Sequence, residues 1–208
     1  MQTMKLVKAV ALLAALAGSA CGDLSTGGRS PSRVVISTLQ GASGAQPEGM
    51  GGTLRSDVQT LVDRTIGGQT VRVPTIFNDI GEVTMRIVLR DPGISGTAAP
   101  TDVNQVTFSR YRVVYRRNDG RAVEGVDVPY GFDSGLTFTV PADGSITVGF
   151  DLVRHSAKEE APLRALVSSP NFLATIAEVT FYGKDLAGND VVVSGSMGIT
   201  FGDFGDPS

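Results

Sequence analysis

Apolar and polar residues alternate with period two along most of this chain, the pattern of strands that bury one face. Val34, Val35 and Ile36 open a first strand, and the Gly-rich stretch 41–52 that follows has no core pattern. Residues 54–62 and 70–77 read as the next two strands, separated by Gly67 and Gly68. Val83, Met85, Ile87 and Leu89 then alternate with Thr84, Arg86 and Arg90, and residues 91–105 form a long loop rich in Pro, Gly and Thr. Residues 106–116 predict the longest strand, but its phase slips. Val106 and Phe108 share one parity, whereas Tyr111, Val113 and Tyr115 share the other. A β-bulge near Ser109 and Arg110 would bring both halves onto one face.

Downstream, Leu136, Phe138 and Val140 precede the turn Pro141-Ala-Asp-Gly144, followed by Ile146, Val148, Phe150 and Leu152, which predicts a hairpin. Residues 162–168 suit one or two helical turns, with Leu163, Leu166 and Val167 inward. Ala177, Val179 and Phe181 then pair across residues 185–189 with Val191, Val193, Met197, Ile199 and Phe201. About eight or nine short strands with one short helical insertion predict an all-β fold, a single antiparallel β-sandwich over residues 33–204 and a tail at 205–208.

The N-terminus obeys other rules. Lys5 and Lys8 precede the apolar run 9–17, and the small residues Gly18, Ser19 and Ala20 lead to Cys21. That order is the signature of a secretory signal peptide over residues 1–20, too short in its apolar part to span a bilayer as a helix. The only cysteine directly after the small-residue run resembles the lipobox of bacterial lipoproteins. The departure is Gly18 where the family usually has Leu, with Leu16 two residues further upstream. The resemblance implies that Cys21 becomes the first mature residue, carries diacylglycerol and fatty acid, and anchors the protein to a membrane without a transmembrane helix. A plain signal-peptidase cut leaving Cys21 free is the other reading. Gly22 in place of Asp implies outer-membrane sorting in a diderm host. Residues 21–32 read as the lipidated N-terminus and a flexible tether.

The late hairpin 182–190, Tyr-Gly-Lys-Asp-Leu-Ala-Gly-Asn-Asp, resembles the D-x-x-G-N turn of bacterial immunoglobulin-like and fibronectin-III-like domains. The likeness covers about residues 177–201 and implies architecture but no activity. With no Trp and one Cys, the antibody-type disulfide and its packing Trp are excluded.

Composition narrows the chemistry. One Cys and one His, His155, exclude a disulfide framework, Cys-rich zinc sites and His clusters within one chain. The net charge is −3. Removal of residues 1–20 takes away two Lys and no acid, leaving 16 basic against 21 acidic side chains, or −5. That balance argues against a nucleic-acid partner. The patterns of a hydrolase elbow, a P-loop, a dinucleotide fingerprint, a zincin helix and an EF-hand are absent. His155 and Ser156 are neighbours whose side chains would diverge on a strand, so a surface or capping role suits His155.

A glycan hydrolase working through paired carboxylates is the alternative to a binding module, but Asp151 falls on the outward parity and aromatic residues are only 6%. Asp-rich turns (Asn78-Asp79, Asn118-Asp119, Asp185, Asn189-Asp190, Asp203, Asp206) could bind calcium if they met at one end of the sandwich, though turns favour Asn and Asp for steric reasons as well. Otherwise no cofactor is expected. Arg110, Arg112 and Arg116 share a parity and are the candidate ligand-binding residues, for anionic glycan, lipid headgroup or protein, unless they pair across strands with acids such as Glu82. The expected protein is a lipid-anchored, non-catalytic binding or assembly module of the cell envelope, its partner a protein or glycan of that envelope. A calcium-stabilised adhesion domain is the further alternative.

Overall fold

The computed structural model describes residues 30, 32–89 and 99–204; Cys21, the signal segment, most of the tether and Asp206 lie outside the described residues. Among the described residues ten strands form an all-β sandwich. β1 (Ser32–Ala42), β5 (Asp79–Leu89) and β8 (Ile146–Val153) make a three-stranded sheet in the order β1-β5-β8. β2 (Thr53–Asp57), β10 (Asp190–Gly202), β9 (Phe172–Asp185), β6 (Val106–Arg117) and β7 (Phe132–Val140) make a five-stranded sheet in that order. β3 (Thr60–Ile66) and β4 (Gln69–Thr75) form a separate two-stranded arm.

The two larger sheets bury their apolar parities against each other. Val83, Met85, Ile87, Phe150 and Leu152 come from one side, and Val106, Phe108, Val113, Val179, Phe181 and Ile199 from the other. Phe181 is the hub, its ring centroid 5.5 Å from Phe150, 6.0 Å from Tyr111, 6.2 Å from Phe138 and 6.3 Å from Phe108. Tyr111 and Tyr115 reach across and donate their hydroxyls to the β8 carbonyls of Asp151 and Leu152, at 3.1 and 2.7 Å. Such bonds satisfy the polar end of a ring whose body is buried.

The phase slip in β6 is a bulge: its register with both β7 and β9 shifts between Phe108 and Arg110. Val106 and Phe108 therefore share the core with Tyr111, Val113 and Tyr115. Across the bulge β9 carries Gly183, where a Cβ would collide with the Thr107 carbonyl and the Phe108 backbone. Only glycine lets the bent strand lie so close.

Four expectations change. The stretch 54–62 is two elements, β2 and the first arm strand, divided at Val58 and Gln59. β2 runs parallel to β10, pairing Thr53–Asp57 with Gly198–Gly202, so the sandwich is not wholly antiparallel. Alternation records which face is buried, not the direction of the neighbouring strand. Likewise β7 and β8 are not a hairpin. β7 pairs with β6 and β8 with β5, so the turn at 141–144 carries the chain from one sheet to the other. Two strands facing one core from opposite sheets alternate just as a hairpin does. The helical insertion is a 3₁₀ turn, Leu163–Leu166, preceded by an unexpected helical turn, α1 (His155–Lys158).

Candidate functional site

β6 places Arg110, Arg112 and Arg116 on the solvent face of the five-stranded sheet, where two of the three already have partners. Asp133 on β7 lies 2.7 Å from Arg110 and 3.8 Å from Arg112, with all three side chains about half exposed. The Arg110 guanidinium carbon also lies over the Tyr182 ring of β9, 4.0 Å from its centroid. Arg116 has no ion pair among the described residues and sits in register with Ile176. Glu82 is on β5 of the opposite sheet, so the acid that serves Arg110 and Arg112 is Asp133. Exposed pairs of this kind contribute roughly 0–1 kcal/mol each, which leaves the guanidiniums available to a ligand. A row of hydroxyls continues the face, with Thr180 and Ser194 2.9 Å apart.

The Asp-rich turns go to separate partners. Asp119 serves Arg117 and Arg121, Asp190 serves Lys184, and Asp203 accepts from the Ser168 amide. Asp185 accepts from the amides of Ala187 and Asn189 and from the Asn189 side chain, all at 2.9 Å. Burial alone would raise its carboxyl, but these bonds together with one from Ser30 outweigh it and hold the group below the usual carboxylate range. No three acidic, His or Cys side chains gather in metal-binding geometry among the described residues.

Asp79 is the residue whose role the sequence conceals. It is not a turn residue but the start of β5, fully buried against Lys158, whose Nζ lies 2.7 Å from Oδ1. The side chains of Lys158 and Asp79 are 1% and 0% exposed, against at least 13% for every side chain in the other ion pairs among the described residues. Ser56 donates its hydroxyl to Oδ2, the Gly44 amide donates to Oδ1 at 3.1 Å, and Nζ also donates to the Asp57 carbonyl at 2.8 Å. A Cβ at residue 44 would overlap the Asn78 carbonyl, so only glycine admits this approach. Burial pushes the Asp79 carboxyl upward while the Lys158 ammonium pulls it down. Next to it, Asn78 holds His155 at the same junction. The His155 amide donates to Asn78 Oδ1 at 2.6 Å, and its Nδ1 lies 2.9 Å from that oxygen.

This cluster borders a crevice of about 700 Å³ lined by Gln59, Ile76, Lys158, Glu159, Arg164 and Val167. The Lys158 ammonium is committed to Asp79 and Asp57, so it offers the crevice no free amine. Asp151, the notable carboxylate on β8, is half-buried and accepts from Asn78 Nδ2 at 3.4 Å. No sequence signal marks Lys158, since a lysine in a short polar stretch reads as surface until the fold places it. No helix among the described residues is long and apolar enough to cross a membrane. No protein-family model matches the chain, and no curated protein matches it either.

Proposed function

We propose that this protein is a lipid-anchored, non-catalytic binding or assembly module of a bacterial cell envelope, with an immunoglobulin-like body. The observation that carries the reading is the solvent face of the five-stranded sheet. There Arg110 lies over Tyr182, Arg112 shares Asp133, and Arg116 has no ion-pair partner among the described residues. Forked guanidiniums beside an aromatic face suit carboxylate or sulfate groups of an envelope glycan, or acidic side chains of an envelope protein. The strand order supports the body: β1, β5 and β8 lie in one sheet and β6, β9 and β10 in the other, the alternation by which immunoglobulin-like domains distribute their strands. The order of Lys5, Lys8, the apolar run and Cys21 supports the anchor.

Two measurements test the two halves. Cells fed radiolabelled palmitate should label the protein, and Cys21→Ser should abolish both the label and membrane retention; label kept by the variant overturns the anchor. Arg110→Ser, Arg112→Ser and Arg116→Ser combined should abolish capture of envelope polysaccharide or protein by the full chain, with little change in melting temperature. Undiminished capture by that variant rejects the arginine face.

A further inference from the structure

We propose that the free margin of β10 around Val192, Ser194 and Ser196 is a docking site for an extended strand of another protein. This rests on the reading of the chain as a binding module and names where the partner's backbone lies. β2 flanks β10 only at Gly198–Gly202, whereas β9 pairs with β10 without a break from Asp190 to Gly202. The direction of the main-chain groups follows from two bonds. The Gly202 carbonyl accepts from the Val58 amide on the β2 side, and the Ile199 carbonyl accepts from the Thr175 hydroxyl on the β9 side. Because successive residues turn their groups to opposite sides, the even-numbered residues face the β2 margin. Beyond the end of β2, the amides and carbonyls of Val192, Ser194 and Ser196 therefore face outward with no strand beside them among the described residues.

Natural sheets blunt such margins with charge, proline, a bulge or a covering segment. At the opposite margin of this sheet, Arg154 caps the start of β7, donating to the Asp133 carbonyl at 2.9 Å and lying over Phe132. Residues 191–197, Val-Val-Val-Ser-Gly-Ser-Met, carry neither charge nor proline, and Val192 is 58% exposed.

The margin opens on a groove of about 310 Å³ whose far wall is the start of β1, including Ser32, Arg33 and Val34. That wall is fixed, because Ser32 donates its hydroxyl to the Asn104 carbonyl at 2.9 Å. One strand beside β10 needs about 4.8 Å of width. A second copy of the chain would instead bring its own β1 wall against this one, so the occupant is a single extended segment. Main-chain groups in a row recognise polypeptide, by strand addition. Arg33 has no ion pair among the described residues, which suits an acidic side chain in that segment. The added strand would continue the face on which Val192, Tyr182 and Arg110 are neighbours.

The test selects a phage-displayed library of random 12-residue peptides on the full chain in detergent, then follows amide exchange with the best peptide bound. Binding should slow exchange at Val192, Ser194 and Ser196 by about tenfold or more, and change Val191 and Val193, already paired with β9, far less. Ser194→Pro should abolish binding. Val192→Lys, at an exposed position that leaves folding intact, should weaken it about fivefold or more. The proposal is overturned if no peptide is selected, or if bound peptides leave the three amides unchanged. It is equally overturned if those amides are already protected in the free monomer, or become so as copies of the chain associate. Envelope partners that bind the Val192→Lys chain undiminished would sink the strand site while leaving the binding-module reading in place.

Discussion

Asp185 shows how much one side chain can do in a turn. Its carboxylate closes the β9–β10 connection by accepting three bonds from Ala187 and Asn189, while Gly188 supplies the positive φ of +86°. Because these bonds favour the ionised form, the folded chain holds the group below its ordinary value of 3.8. Its contribution to stability is therefore complete above that value. It is lost as pH falls through the ordinary value towards the folded one, where the unfolded chain binds the proton more readily. Asp185→Asn should flatten this part of the stability–pH curve, as urea unfolding between about pH 2 and 5 would measure. An unchanged slope would assign the acid sensitivity to other carboxylates. The turn residues themselves were legible in the sequence. Which of them binds the others was not, because Asp, Asn and Gly suit turns and metal loops alike.

At the scale of elements, the bulge in β6 and the junction of Lys158 with Asp79 make opposite cases. The bulge was visible as a broken alternation between Phe108 and Tyr111, since burial on one face demands a phase correction. The ion pair was invisible, because Asp79 and Lys158 stand far apart in the chain and neither interrupts a pattern. It ties the end of β2, the start of β5, the loop at Gly44 and α1 at one point. Removing one member of a buried pair leaves the other charged and unpaired, so Lys158→Met should lower the unfolding free energy by about 3–5 kcal/mol, measured by urea titration. A loss below about 1 kcal/mol would mean that water already reaches the pair. The arginines of β6 fall between these cases: their shared face was legible, but Asp133 as the partner of Arg110 and Arg112 depended on which strand became the neighbour.

The whole molecule is a sandwich body carrying an arm. β3 and β4 pair only with each other, and Ile66 and Val71 near the tip are exposed. A two-stranded hairpin is marginal on its own, so this one depends on its base, where Asp57 and Asp79 are both held by Lys158. The body should not depend on the arm in return. Replacing residues 61–74 with a short Gly-Ser linker should leave the melting temperature within about 5 °C, because little core area is removed. A larger drop in a thermal scan would show that the arm packs on the body in solution.

The sequence by itself determined the all-β class, the positions of most strands, the parity that enters the core and the bulge that corrects it. These follow from local alternation, which any strand with one buried face must obey. Tertiary structure alone decided that β2 runs parallel to β10, that β7 and β8 lie in different sheets, and that Asp79 meets Lys158 in the interior. It also decided that β10 keeps a margin unpaired by any strand among the described residues. The physical reason is common to all four. Alternation encodes whether a side chain is buried, whereas the neighbour of a strand, its direction and the partner of a charge arise from contacts between residues far apart in the chain.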